Sequence, residues 1–248
     1  MKGERLKKIP GIILAGWIAL LSAVPFAAAE QVDPSVIRWD FSESRLNRKG
    51  IPDNWIYKGK MGTPDVKYDL IPDADTGGKV LKITADRASG VILRELKGID
   101  LKKYPWIRWR WKSDKLPAGA DARIKEKDDQ GIALYVGYGR FTQKSISYTW
   151  ETLTPKNSFG KAQYTGIVTV YWTCLRNQLD RMGKWHTEQQ NLWQDLQKKL
   201  GKIPDKLGLS ISSNSQYTDS ESVCYLDFIE FRKEPYREDD LPDMMKNR

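Results

Sequence analysis

The chain has 248 residues, of which 29% are charged, and its formal net charge is +9. The first 29 residues supply four cations less one Glu, or +3, so the remainder carries 9 − 3 = +6. That excess is spread along the chain, whereas nucleic-acid binding usually shows as a concentrated basic stripe. We therefore expect no nucleic acid as a partner, while an anionic polymer or surface stays open.

The first 29 residues have the layout of a secretory signal peptide. A cationic start precedes an apolar run from Ile12 to about Val24, and Ala27-Ala28-Ala29 offers small residues at both positions that a signal peptidase recognises. Cleavage there would leave Glu30 as the new N-terminus. A membrane anchor is the alternative, but the run is barely long enough to span a bilayer, and Pro25 favours cleavage. We predict an exported protein of the periplasm or cell surface, without a transmembrane segment after cleavage.

Residues 30–234 are predicted to form one domain of many short strands, because apolar and polar residues alternate along most of it. Segments rich in Gly, Pro and Asp separate the alternating stretches. This pattern predicts an all-β fold, a jelly-roll-type β-sandwich. The candidate strands are Val36–Phe41, Val66–Ile71, Lys79–Ala85, Gly90–Leu96, Trp106–Lys112, Gly131–Tyr138, Ser145–Trp150, Gly166–Thr173, Lys206–Ser212 and Val223–Phe231.

One segment breaks this alternation. In "HTEQQNLWQDLQKKLG", Leu192, Leu196 and Leu200 recur every four residues, which places them on one face of a helix. Gly201 suits the position just after a helix end. We predict one packed α-helix at about residues 186–200, and a frayed tail at residues 235–248, where no apolar period is present.

The stretch "YPWIRWRWKSD" predicts a strand with one buried and one charged face, because successive side chains point to opposite sides. The buried face would carry Ile107, Trp109 and Trp111. The other face would carry Trp106, Arg108, Arg110 and Lys112. That second face is either an ordinary solvated sheet surface or a saccharide-binding surface, on which indole stacks against sugar rings and arginine holds carboxylates or hydroxyls.

The following strand, "GIALYVGYGR", places mainly small residues beside Tyr135 on its outer side. These are Gly131, Ala133 and Gly137. If this strand pairs with residues 106–112, Tyr135 lies in a shallow trough next to Arg108 or Arg110. We therefore predict a ligand-binding surface that consists of Trp106, Arg108, Arg110 and Tyr135.

The candidate catalytic pair is Asp128 or Asp129 with Glu151, while Asp121 and Glu126 also stay open as partners because no spacing singles one out. Adjacent residues of an extended chain point opposite ways, so the two aspartates cannot both reach one substrate without a bulge. A glycosidase needs two carboxyls about 5–10 Å apart. The alternative interpretation is a loop pair that binds backbone amides.

Two weaker features stay open at this point. Asp40, Glu43 and Asp227 could supply oxygens to a structural calcium ion, although exposed strand carboxylates are commoner; no other cofactor is predicted. Cys174 and Cys224 either form a disulfide, as an even pair in an exported protein invites, or are two buried free thiols.

A succession of motifs carries a family resemblance. In order they are "WDFSE", "GIPDNW", "RASGVILREL", "YPWIRWRWK", "KDDQGIALYVGY", "SISYTWE", "GKWHTEQQNL" and "SNSQYTDSESVCYLDFIEF". This succession resembles the bacterial exported domain-of-unknown-function family 3047. The resemblance implies a β-sandwich similar to carbohydrate-binding modules and no established activity. The chain departs from the family pattern in having Ala133 for an arginine, and Asn214 and Gln216 for an Asp-x-Asp loop.

The leading hypothesis is therefore an exported, non-catalytic carbohydrate- or polysaccharide-binding protein of the cell envelope, expected to be a monomer. One alternative is an envelope polysaccharide hydrolase or lyase that uses a carboxylate pair. Another is a structural envelope protein whose cationic face meets a protein partner or anionic lipid headgroups.

Overall fold

The computed structural model describes residues 34–139, 143–164, 166–201 and 203–237. The predicted signal peptide lies outside these residues, as do residues 238–248 of the predicted tail. No helix in these ranges is long and apolar enough to cross a membrane. Of the tail, Tyr236 is held in place, because its backbone N–H donates to Gln189 Oε1 at 2.6 Å.

Two sheets form the sandwich that the alternation predicts. The first sheet has six strands: β1 (Val36–Asp40), β3 (Lys67–Asp73), β4 (Gly78–Asp86), β6 (Trp106–Lys115), β11 (His186–Asn191) and β13 (Glu221–Arg232). The second has seven: β2 (Ile56–Gly59), β5 (Ser89–Glu95), β7 (Gln130–Tyr138), β8 (Gln143–Trp150), β9 (Phe159–Tyr164), β10 (Val168–Arg176) and β12 (Gly208–Asn214).

The strand order separates neighbours in sequence. The six-stranded sheet runs β11-β6-β13-β4-β3, with β1 also paired to β13, and the seven-stranded sheet runs β2-β5-β12-β7-β8-β10-β9. The ten predicted strands are all present. The three that the sequence did not indicate, β2, β9 and β11, lie at sheet edges, where neither face needs a regular apolar pattern.

The predicted helix is present but shorter at its N-terminus. It spans Leu192–Leu200 (α1), and its side chains Leu192 and Leu196 are buried. Residues 186–191 instead form β11, which pairs with β6. The Asn191 side chain accepts a hydrogen bond from the Gln194 N–H at 3.0 Å, so it caps the helix where the strand ends.

Tryptophans from both sheets build the centre of the core. Trp109 and Trp111 are fully buried, as predicted. Trp111 lies 5.8 Å from Trp150 and Trp109 lies 5.2 Å from Tyr148, measured between ring centroids, so β6 of one sheet packs directly on β8 of the other. Large rings buried in this way supply much of the apolar area that holds the sheets together.

Both cysteines are free and buried, so the disulfide alternative is wrong in this structure. They lie in different sheets and contact different partners. Cys174 Sγ lies 3.2 Å from the carbonyl oxygen of Arg176, and Cys224 Sγ lies 3.3 Å from Ser113 Oγ. Each thiol therefore behaves as a small core residue with a weak hydrogen bond.

Candidate ligand-binding groove

The four residues of the predicted binding surface do not come together. Trp106, Arg108 and Arg110 lie on β6, which pairs with β11 and β13, whereas Tyr135 lies on β7, which pairs with β8 and β12. The pairing of these two strands, on which the common trough depended, is therefore not present. Their side chains leave opposite outer faces of the sandwich, and the core separates them.

On the outer face of the six-stranded sheet, the protein's own carboxylates neutralise Arg108 and Arg110. Glu230 accepts hydrogen bonds from Arg38 at 2.6 Å, Arg108 at 3.0 Å and Arg232 at 3.3 Å. Arg110 lies 3.4 Å from Asp227. Because only 17% of the Arg108 side chain and 7% of the Glu230 side chain are exposed, these pairs belong to the fold and offer few free donors to a ligand.

The outer face of the seven-stranded sheet is different, because it forms an open groove of about 1270 Å³. Tyr135 lies in this groove, as the run of small neighbours predicts. Small and aliphatic side chains from five adjacent strands make its floor. They include Val91, Leu93, Ser210, Ser212, Gly137, Ser145, Val168 and Val170.

Glycine is required at one point of this floor. A Cβ at Gly137 would lie 2.4 Å from the backbone oxygen of Lys144. Gly131, predicted to face outward as well, instead faces the core, where a Cβ would lie 3.1 Å from Cys224 Sγ. A β-bulge explains the change of side, since Ser212 pairs with Ala133 but Asn214 pairs with Gln130.

A chain of hydrogen bonds crosses three strands at the groove. Ser89 Oγ donates to Asn214 Oδ1 at 2.8 Å, Asn214 Nδ2 to Gln130 Oε1 at 2.9 Å, and Gln130 Nε2 to Asp128 Oδ1 at 2.7 Å. The Tyr135 hydroxyl joins it at Gln130 Oε1, at 3.3 Å. We call these five residues the polar chain. Their mutual contacts fix their orientation before any ligand arrives.

The amide at position 214 is essential to this arrangement. Asn214 accepts from Ser89 with its oxygen and donates to Gln130 with its nitrogen. A carboxylate at this position has no proton to donate, so it would leave one of these bonds unmade. Asn214 thus provides a hydrogen-bond link that a charged carboxylate could not complete.

Asp128 and Asp129 contact different partners, although the chain is not extended at Asp128, which directly follows the short 3-10 helix Lys125–Lys127 and has φ −79° and ψ 64°. Asp128 lines the groove and accepts hydrogen bonds from the hydroxyl of Tyr164 and from Gln130. Burial raises the pKa of the Asp128 carboxyl above its usual value. Asp129 is fully buried and accepts from Thr218, which gives it the amide-binding role that the sequence offered as an alternative.

Glu151 does not reach the groove. It is fully buried and accepts hydrogen bonds from the Thr149 hydroxyl at 2.6 Å, from the Ala122 N–H at 3.0 Å and from the Thr154 hydroxyl. Burial raises the pKa of Glu151 to about 7. The structure therefore gives the three candidate catalytic carboxylates separate surroundings, and only Asp128 lines the groove.

Two of the three candidate calcium ligands are paired with arginine. Asp227 pairs with Arg110, and Asp40 pairs with Arg38 at 3.3 Å. In the described ranges, no group of three or more His, Cys, Asp or Glu residues is placed to hold a metal ion. Arginine supplies the positive charge that a cation would have brought to these carboxylates.

Lysines and tyrosines line the sides of the groove, and the sequence did not indicate most of them. The lysines are Lys58, Lys60, Lys125, Lys144 and Lys206. Lys60 Nζ lies 4.6 Å from the centre of the Tyr217 ring and 3.4 Å from its hydroxyl. These residues come from distant parts of the chain, so no local pattern marks them as one site.

Comparison with known proteins adds a family. The model of the family described as "Protein of unknown function (DUF3047)" matches residues 60–230. No curated protein matches the chain.

Several solved structures are similar in fold. The family 11 carbohydrate-binding module of the cellulosomal cellulase Lic26A-Cel5E of Clostridium thermocellum is 11% identical, with 82% of this chain and 97% of that chain covered and a TM-score of 0.45. The CBM22-1 xylan-binding domain of Paenibacillus barcinonensis Xyn10C is 15% identical, with 81% of this chain and 95% of that chain covered and a TM-score of 0.37. A cellulase derived from Cel12A of Rhodothermus marinus is 10% identical, with 78% of this chain and 99% of that chain covered and a TM-score of 0.41.

Proposed function

The chain belongs to the DUF3047 family of proteins of unknown function, and we propose that it binds a polysaccharide, without cleaving it, in the groove of its seven-stranded sheet. The signal-peptide pattern of residues 1–29 supports export, so the ligand would be met in the periplasm or at the cell surface.

The polar chain on the floor of the groove carries this proposal. Sugars present hydroxyls that both donate and accept, beside flat C–H surfaces. The groove offers the amide and hydroxyl groups of Asn214, Ser89 and Tyr135 for the first, and aliphatic and tyrosine side chains for the second. Small-molecule pockets measure about 300–1,000 Å³, so a groove of about 1270 Å³ has room for an oligosaccharide segment.

The placement of carboxyl groups supports binding over cleavage. Within the part of the chain that the structure describes, two acidic residues line the groove, Asp128 and Glu95. Glu95 on β5 lies opposite Gly208, at the start of β12. Asp128 is hydrogen-bonded to Gln130, and Gln130 lies opposite Asn214, six residues further along β12. Six residues of strand extend for about 20 Å, which exceeds the 5–10 Å that two glycosidase carboxyls require.

Isothermal titration against a panel of soluble polysaccharides tests the proposal. We expect Tyr217→Ala, at the side of the groove, to weaken binding about tenfold, the effect of losing one aromatic contact. Tyr236→Ala is the matched control, because Tyr236 contacts Arg108 on the opposite face of the sandwich and its loss leaves binding unchanged. Equal effects of the two variants, or no binding to any polysaccharide, would reject the groove as the site. Release of reducing ends would show an enzyme instead.

A further inference from the structure

Cations on the two outer faces of the sandwich differ in their pairing. On the six-stranded sheet, Arg38, Arg108 and Arg232 share Glu230, and Lys112 pairs with Asp73 at 3.1 Å. On the other face, the five groove lysines are absent from the ion pairs of the described residues, in which the lysines are Lys67, Lys112, Lys115 and Lys156. The arginines of one face thus share the protein's own carboxylates, whereas the lysines of the groove do not.

The acids of the groove do not balance these lysines. Against five lysines stand Glu95 and Asp128. The Asp128 carboxyl already accepts hydrogen bonds from Tyr164 and Gln130, so its oxygens face the protein's own donors. A concave surface lined by one sign of charge raises the local concentration of ligands of the other sign.

From this asymmetry we infer that the ligand is an anionic polysaccharide that carries carboxylates along its chain, a uronic acid polymer, and that the groove lysines pair with those carboxylates. This inference rests on the proposed function, since it specifies the ligand of the same groove. The aliphatic floor would contact the C–H faces of the sugar rings. Each lysine has three donors on a flexible stem, so it adapts to carboxylates at different positions of a polymer.

A nucleic acid is the other polyanion to consider, and the groove suits it less well. Bidentate arginine is the commonest specific contact to the edges of guanine bases, which a uronic acid polymer lacks. Among the described residues no arginine lines the groove. We therefore make nucleic acid an outcome of the test.

Polygalacturonate and its fully methyl-esterified form give a matched pair of ligands, because esterification removes the charge and keeps the backbone. We expect polygalacturonate to bind the full protein at least about tenfold more tightly at low salt, and the ratio to fall toward one at about 1 M salt, where screening reaches about 3 Å. Dextran sulfate and single-stranded DNA serve as polyanions of other chemistry.

Charge-matched variants test whether the groove lysines cause the preference for polygalacturonate over its ester. Lys58→Ala with Lys144→Ala removes two lysines from different strands of the groove. Lys49→Ala with Lys97→Ala removes the same charge from exposed positions outside it. We expect the first pair to reduce polygalacturonate affinity roughly fivefold and to leave the ester unaffected, and the second pair to change neither.

The possible results separate the inference from the function that it rests on. Equal affinity for the acid and its ester overturns the inference and keeps polysaccharide binding. Binding of neither form, nor of any other polysaccharide, overturns both. Equally tight binding of DNA or dextran sulfate, or equal effects of the two double variants, would show a general polyanion surface and also overturn the inference.

Discussion

Asp129 accepts hydrogen bonds from both the backbone N–H and the hydroxyl of Thr218, at 2.8 and 2.9 Å. This buried carboxylate lies just before β7, and Thr218 adjoins Tyr217 at the side of the groove. Both aspartates therefore help to shape the groove. Asp128 ends the polar chain, and Asp129 anchors the loop that carries Tyr217.

Removal of this anchor should cost both stability and binding. Hydrogen bonds to charged groups contribute about 1.5–3 kcal/mol each, so we expect Asp129→Ala to lower the free energy of unfolding by roughly 3 kcal/mol. Asp129→Asn keeps one acceptor for Thr218 but buries an amide nitrogen where Oδ1 has no partner, and should lose about half as much. Urea titration measures both. An alanine variant as stable as the wild type would contradict the anchoring role.

Gly137 and Gly208 are direct partners across β7 and β12, and both line the groove. A Cβ at Gly137 meets backbone at 2.4 Å, whereas a Cβ at Gly208 meets nothing closer than 3.7 Å. We expect Gly137→Ala to lower the free energy of unfolding by roughly 1–3 kcal/mol, as overpacking does, and Gly208→Ala to change it by less than about 1 kcal/mol. Equal thermal midpoints for the two variants would refute the close approach of β8.

Arg108 should matter for stability and not for ligand binding. Because Arg108 shares Glu230 with Arg38 and Arg232, we expect Arg108→Ala to cost about 1–2 kcal/mol, and Glu230→Ala about 3 kcal/mol, since three arginines then lose their carboxylate. Lys115→Ala, which breaks an exposed pair with Glu221, is the control and should cost less than about 1 kcal/mol. If Arg108→Ala changed the affinity for polysaccharide, the binding site would lie on the six-stranded sheet and not in the groove.

The contrast between Arg108 and Tyr135 shows how far the sequence alone leads. Alternation along each strand correctly placed Trp109 and Trp111 in the core and Tyr135 on an outer face, because it depends only on local geometry. It could not tell which strands are neighbours, since β6 and β7 follow each other in the chain but lie in different sheets. Pairing is decided by contacts between residues far apart in sequence.

The same limit explains the residues that were missed. Lys58 and Lys144 reach one groove from β2 and β8, and β2 is an edge strand without a regular pattern. Asp129 was recognisable as a possible amide binder, but its partner Thr218 lies 89 residues away. The small residues around Tyr135 were the one local signal of the groove, because they leave space that larger side chains would fill.

The cysteines should be unreactive in the folded protein. Burial raises the pKa of Cys174 and of Cys224 to about 12, so neither thiolate forms at pH 8. We expect no labelling by a thiol-specific disulfide reagent in native buffer, two thiols labelled in denaturant, and no change in thermal midpoint with reductant. A single disulfide in purified protein, seen as the absence of both thiols in denaturant without reductant, would reject this prediction.

Glu151 should make the fold more stable at mildly acidic pH. Its pKa is about 7 in the folded protein and 4.5 as an ordinary value, because burial disfavours the charged form. As pH rises from about 4.5 to 7, the unfolded carboxyl ionises first, so stability falls over that window and then levels off. A shift of this size corresponds to roughly 2–4 kcal/mol.

The substitution Glu151→Gln isolates this effect, because glutamine has the shape of the neutral acid. Its amide oxygen can accept from the Ala122 N–H, and its nitrogen can donate to the Thr149 hydroxyl. Between pH 5 and pH 8 we expect the free energy of unfolding to fall more in the wild type than in the variant. The difference between the two falls should be roughly 2–4 kcal/mol, the contribution of the raised Glu151 pKa. Glu126→Gln, at an exposed position, should leave the wild-type pH dependence unchanged. Parallel pH profiles for Glu151→Gln and the wild type would mean that Glu151 is charged in the folded protein at both pH values.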